Sequence, residues 1–199
     1  MSFKKLYNFA VELRQYPVIL EGVLDAEAVR LSSQDELYYV PVDLDPDISL
    51  GHIKQYRVPG GVYGEIKWIT EIRYFADLNM CWQRFVSCKE LMHVFDSPEE
   101  RVDSGKKFSQ LLDEIEAPLP VDASSPMYRS ESRTKWMALA VLCPVPIRDI
   151  FKPKWLAKEL SDYEVALELR IPEGLIHTVM SDRYDAVLEY LLTQNACIP

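Results

Sequence analysis

The sequence predicts an α+β fold in which a central helix packs on a small sheet and a helical portion follows at the C-terminal end. Three observations carry this expectation. Leu37–Leu44, Ile53–Val58 and Val62–Thr70 are rich in strand-favouring side chains, and Pro59-Gly60-Gly61 between the last two predicts a hairpin. From Ile72 to Phe95 apolar residues recur at helical spacing, through Phe75, Leu78, Cys81 or Trp82, Phe85, Cys88 and Met92, long enough to cross a small domain. Beyond Pro153 the chain divides into short helical stretches, Lys154–Glu159, Asp162–Arg170, Pro172–Ser181 and Asp182–Gln194. The expected organisation is therefore a first unit over residues 1–150 and a helical portion over residues 151–199, packed on it.

Taken in order, residues 3–15 carry Phe3, Leu6, Tyr7, Phe9, Ala10 and Leu13 at helical spacing, and Pro17 ends the pattern. Val18–Leu24 reads equally as a short strand or an extended connection, with Asp25 able to cap a helical turn over residues 26–30. Pro41 lacks a ladder donor, which assigns Leu37–Leu44 to a sheet edge. Asp43, Asp45 and Asp47 alternate around Pro46, without the glycine and the terminal glutamate of a calcium loop, and predict a solvated turn. Ser97-Pro98 has the form of a helix start, and Pro118 and Pro120 end that helix. A loop over Val121–Arg129 precedes a helix from about Ser130 to Leu142, which Pro144 and Pro146 stop. Ala166–Ile176 has the rhythm of a helix-turn-helix, shared by small packing units that touch no DNA.

Composition narrows the function classes. A chain of 199 residues, 48% hydrophobic and 27% charged, supports one substantial core or a core with a small appended unit. A net charge of −9 opposes nonspecific attraction to phosphate backbones and favours protein surfaces or positively charged partners. The absence of a long apolar run, and of the apolar segment of a secretory signal in Met1–Leu6, predicts a cytoplasmic protein with no membrane partner. Cys81, Cys88, Cys143 and Cys197 have neither metal-site nor disulfide-scaffold spacing and read as reduced thiols in or near the core. His52 and His177 stand without a motif around them and read as surface or structural residues, and no glycine-rich phosphate loop is present.

The stretch that carries chemistry is Lys89-Glu90-Leu91-Met92-His93. On a helix it places residues 89 and 93 on one face with Glu90 between them, the spacing of the H-E-x-x-H zinc motif, but with lysine at the first ligand position. Such a string also arises on ordinary helices, with Lys89 and Glu90 as surface charges and His93 as a partly buried histidine. Its context is more specific. Arg84-Phe85 precedes it, and Glu131 stands ahead of Ala138-Leu139-Ala140-Val141-Leu142-Cys143-Pro144.

In this order of elements and motifs the chain resembles the ImmA/IrrE family of zincin-like metallopeptidases, whose members show R-F-x-x-A-H-E-L-G-H and, later, E-x-x-A-N-x-F-A-x-x-L-L-M-P. Arg84, Phe85, Glu90, Leu91 and His93 match the first motif, and Glu131, Ala138, Leu142 and Pro144 the second. Lys89, Met92 and Lys135 depart from it, at the first histidine, the small residue before the second histidine and the asparagine. The resemblance implies a zincin-like fold and a regulatory setting, since members of the family cleave or control repressor-type proteins.

Ligand counting then separates three readings. A catalytic zinc takes three protein ligands and a water, and the retained candidates are His93 and Glu131 alone. Holding the Lys89 amine neutral at pH 7 costs about 4.6 kcal/mol, so an ammonium is expected. The leading expectation is a noncatalytic pseudo-peptidase with a regulatory or protein-interaction role and no cofactor. In it, Lys89, Glu90, His93 and Glu131 form a metal-free polar cluster with Lys89 as counter-ion. The alternative is a zinc peptidase with Glu90 as general base, His93 and Glu131 as metal ligands, an unusual third ligand, and a regulatory protein as substrate. The third is a DNA-binding regulator acting through residues 154–194.

Overall fold

The computed structural model describes residues 2–32, 34–59, 64–117 and 123–193. Its sheet has three strands, β1 (Glu36–Val42), β2 (Gly51–Pro59) and β3 (Ile66–Phe75), in the order β1-β3-β2. β3 is central, parallel to β1 and antiparallel to β2. The edge position of β1 suits Pro41, which has no N–H to give a second neighbour. β2 and β3 form the expected antiparallel pair, although Gly60 and Gly61 of the connecting turn lie outside the described residues. Alternation along β3 buries Thr70, Ile72 and Tyr74 on one face. The other face is tied by charge, with Lys67 2.5 Å from Glu36 and Glu71 accepting from Tyr56 at 2.6 Å. Between β1 and β2, Asp45 accepts from the amide of Asp47 at 3.1 Å in an exposed turn.

β3 corrects the sequence reading of a helix starting at Ile72. Ile72 pairs with Tyr39 on one side and Ile53 on the other, so its backbone is satisfied only in the sheet. The helix, α3 (Met80–Met92), begins after Asn79, whose side chain accepts from the Trp82 amide at 3.1 Å. Apolar residues at positions 72, 75 and 78 continue the helical spacing backwards and conceal the boundary. A tighter 3-10 turn, His93–Phe95, closes α3.

Three further boundaries move. Ser97-Pro98 opens a single turn, and α4 (Gly105–Glu116) starts later, where Ser104 accepts from the Lys107 amide at 3.4 Å. Glu100, which would have extended the earlier turn, accepts from Arg133 at 2.6 Å and from the Ser97 amide at 2.8 Å. α5 (Pro126–Leu142) begins four residues before Ser130, because Ser125 caps it at 3.1 Å from the Tyr128 amide and Pro126 takes the first helical position. The segment after α5 is helix rather than break: α6 (Val145–Leu156) carries Pro146 in its first turn, where a missing N–H costs nothing. The helix expected at Lys154–Glu159 is therefore only the end of α6.

At the N-terminal end α1 (Ser2–Leu13) buries Phe3, Leu6, Tyr7 and Ala10, and a bend at Gly22, φ 76°, leads into α2 (Asp25–Leu31). The last helices are α7 (Asp162–Leu169), α8 (Ile176–Met180) and α9 (Arg183–Thr193). One hydrophobic cluster runs from Phe3 through Leu91 and Leu142 to Leu191, and a division at residue 150 falls inside α6. Arg148, 2% exposed, ties α6 to the following helices. It donates to the carbonyls of Val179 and Ser181 at 2.7 and 2.9 Å, and to Asp185 at 2.8 Å. Cys88 and Cys143 are free and buried, and burial pushes both thiols up to about 12, while Cys197 lies outside the described residues.

α3 lies against β2 at Gly51. A Cβ there would stand 2.5 Å from Val86 Cγ1 and 2.9 Å from the Arg73 carbonyl oxygen, so helix and sheet approach this closely only over a glycine. Gly51→Ala is expected to destabilise the protein by about 1–3 kcal/mol through overpacking, read as a lower midpoint in urea with unchanged slope. Arg148→Met strands two carbonyls and one carboxylate and is expected to cost about 3 kcal/mol in the same measurement.

Candidate functional site

The polar residues singled out by sequence meet where α3 crosses α5. Lys89 and His93 share a face because they are four apart, and Glu131 and Thr134 face them from the second and third turns of α5. The capped start of α5 at Ser125-Pro126 is what places Glu131 there. Glu90, 3% exposed, is covered from the sheet side, with its Cγ 3.4 Å from a Cβ placed on Gly51.

Lys89 joins the two glutamates. Its Nζ donates to Glu90 Oε1 at 3.0 Å and also pairs with Glu131 Oε2. The other oxygen of Glu131 stands 3.3 Å from His93 Nε2. His93 Nδ1 meets Asp96 Oδ2 at 2.7 Å, and Asp96 Oδ1 accepts from Ser130 at 2.7 Å and from Arg133 at 2.9 Å. Arg133 continues to Glu100. Four carboxylates thus face Lys89, Arg133 and His93. The Lys89 and Glu131 side chains keep 20% and 27% of their surface, so the cluster opens to solvent on their side and is closed around His93 and Asp96.

These contacts set the protonation states. Burial opposes a charged His93, but hydrogen bonds to Asp96 and Glu131 and the charges of Glu90 and Asp96 outweigh it and raise its pKa to about 10. Burial likewise opposes a charged Lys89, and the negative charges of Glu90 and Glu131 more than reverse this, holding the ammonium above its ordinary range. For Glu131, burial is overcome by the His93 hydrogen bond and the Lys89 charge, which hold the carboxyl below its ordinary range. Lys89, His93 and Glu131 are thus all held in their charged forms.

That set does not fit zinc. A catalytic zinc takes three protein ligands, and Lys89, paired with Glu90 and Glu131, puts an ammonium without a free lone pair where the first of them would stand. Among the described residues no group of three or more His, Cys, Asp or Glu side chains is placed to hold a metal ion. One feature of metal sites is nevertheless present: the Nδ1 of His93 is held by a carboxylate while Nε2 faces the cluster, as the outer partners of ligating histidines are arranged.

Sequence reasoning missed Asp96, Ser130, Arg133 and Glu100, which complete the network. Asp96 and Arg133 are close in sequence to His93 and Glu131, yet nothing in their spacing marks them before α3 and α5 are brought together. Of the remaining motif residues, Phe85 is buried, Lys135 is exposed, and Arg84 donates to the Val18 carbonyl. His52 and His177 are exposed, and His177 lies 3.2 Å from Asp162. In residues 154–194, four lysines and arginines stand against eight aspartates and glutamates, and α8 has five residues, so charge there opposes a phosphate partner.

In comparisons with known proteins, no family model, no characterised protein and no solved structure matches this chain. The likeness to ImmA/IrrE proteins therefore rests on the motif residues. No helix among the described residues is long and apolar enough to cross a membrane.

Because the folded-state pKa of His93 is raised from about 6.5 to about 10, the imidazolium stabilises the folded state fully below pH 6.5, and this contribution is lost as pH rises through 10. Unfolding free energy is expected to fall between pH 7 and 10, with a shallower fall in His93→Asn. NMR of the His93 ring should show a titration midpoint well above 7.

Proposed function

We propose that this protein is a noncatalytic regulatory or protein-interaction protein built on a zincin-like, ImmA/IrrE-like plan. The observation that supports this best is the Lys89 ammonium between Glu90 and Glu131. Where a peptidase would present a metal and a general base, this chain presents a lysine that neutralises the same carboxylates. Metal-assisted peptide hydrolysis needs an activated water and an electrophile with an exchangeable position. Lys89 supplies a fixed charge without such a position, and Glu90 is bonded to that charge.

In this reading the cluster keeps the fold of the motif helix. Removing the metal from a zinc site would leave mutually repelling carboxylates between α3 and α5, and the ammonium replaces the lost charge without chemistry. The partner is a protein of the regulator or repressor class, a proposal supported by the ImmA/IrrE-like motifs. The net charge of −9 favours a partner surface carrying positive charge.

The test is metal content together with thermal stability. Purified protein equilibrated with zinc is expected to carry substoichiometric metal and to keep the same unfolding temperature. Lys89→His should bind zinc and gain unfolding temperature with it, as a ligand specific for the folded state does. Stoichiometric zinc in the unaltered protein, with partner cleavage that Glu90→Gln abolishes, would establish the peptidase instead.

A further inference from the structure

On the far side of α3 from the polar cluster lies a cleft of about 280 Å³ between the segment Pro17–Glu21, the first two turns of α3 and the end of α7. Arg84 and Arg170 line it together. Neither guanidinium has an acidic partner among the described residues, in a chain with 31 Asp and Glu against 22 Lys and Arg. Arg84 uses Nη2 on the Val18 carbonyl, while its Nη1 is buried with no hydrogen-bond partner. An unpaired buried donor on a charged group is costly, and two like charges sharing one cleft repel, so the cleft suits an anionic acceptor. Burial, and then the charge of Arg170, weaken the hold of Arg84 on its proton.

The remaining walls define the shape of an acceptor that fits. Pro17, Leu20 and Met80 line the cleft with apolar surface, and Ser87, 4% exposed, adds a hydroxyl. Glu21 also lines it and pairs with neither arginine; it is exposed, as Arg170 is. Arg170 stands in the left-handed region, φ 50°, where the end of a helix ordinarily takes glycine. Arg14 and Lys158 share this conformation.

We propose that this cleft binds a small organic carboxylate with an apolar body, its carboxylate held by the guanidinium groups of Arg84 and Arg170 and its body against Pro17, Leu20 and Met80. Arginine's planar fork matches a carboxylate, and the apolar walls distinguish an organic acid from inorganic phosphate. The site is independent of the polar cluster and of any metal, so its success or failure leaves the pseudo-peptidase reading untouched.

The experiment titrates the intact protein with benzoate, benzamide and inorganic phosphate, following backbone amide shifts by NMR and heat by calorimetry. Benzoate is expected to bind and to shift the amides of Ser87 and Arg170. Benzamide, which lacks the charge, should bind about tenfold or more weakly, as loss of a charge-assisted hydrogen bond predicts. Phosphate should bind more weakly than benzoate. Arg170→Gly suits the backbone and should keep the unfolding temperature while weakening benzoate about tenfold. No benzoate binding, equal binding of benzoate and benzamide, undiminished binding in Arg170→Gly, or binding of phosphate in preference to benzoate would each overturn the proposal.

Discussion

Two carboxylates from different helices, Glu90 on α3 and Glu131 on α5, converge on the ammonium of Lys89. Three charges are brought together there at the edge of the core. Such a cluster contributes less to stability than an apolar replacement of equal volume would, because desolvation of the ions offsets most of their attraction. Its effect is on geometry. Lys89 and Glu131 join α3 to α5 beside their shared apolar core, and Gly51 lets β2 rest directly on α3.

The network beyond Lys89 explains how His93 is held as a cation inside the protein. Asp96 and Glu131 hold its two ring nitrogens, and Asp96 is in turn satisfied by Ser130 and Arg133. A buried histidine without such partners would be neutral. Here opposing carboxylates outweigh burial, and the imidazolium becomes a second internal cation beside Lys89. The site reads as a polar seam of four carboxylates and three cations, in which Asp96 steadies His93 as a carboxylate steadies a ligating histidine and Lys89 stands at the first ligand position.

Much of the fold was legible because burial leaves a pattern in the chain. The amphipathic face of α1, the edge strand marked by Pro41, the β2–β3 pair and the helix carrying Lys89 to His93 all follow from spacing and propensity. The misplaced boundaries share one cause. At Ile72–Phe75, Ser97–Glu100 and Val145–Pro153 the local pattern permits two structures, and a distant partner chooses between them. Tyr39 and Ile53 claim Ile72 for the sheet, and Arg133 claims Glu100 from the turn after Ser97. Arg148, the tie of α6 to α8 and α9, carries no local signal because its acceptors lie more than 30 residues away.

By itself the sequence determined the residue types of the cluster and their placement on a helix: Lys89 and His93 four apart, Glu90 between them, and a glutamate on a later helix. It also made an ammonium the expected state of Lys89, since neutrality of that amine is costly in any fold. Only the tertiary structure decided that Glu131 reaches Lys89, that Asp96 and Arg133 belong to the same network, and that Arg84 and Arg170 share a cleft without a counter-charge. Periodicity reports which face of an element is buried. Which charges then meet depends on how two buried faces cross, and that angle is set by packing between segments far apart in the chain.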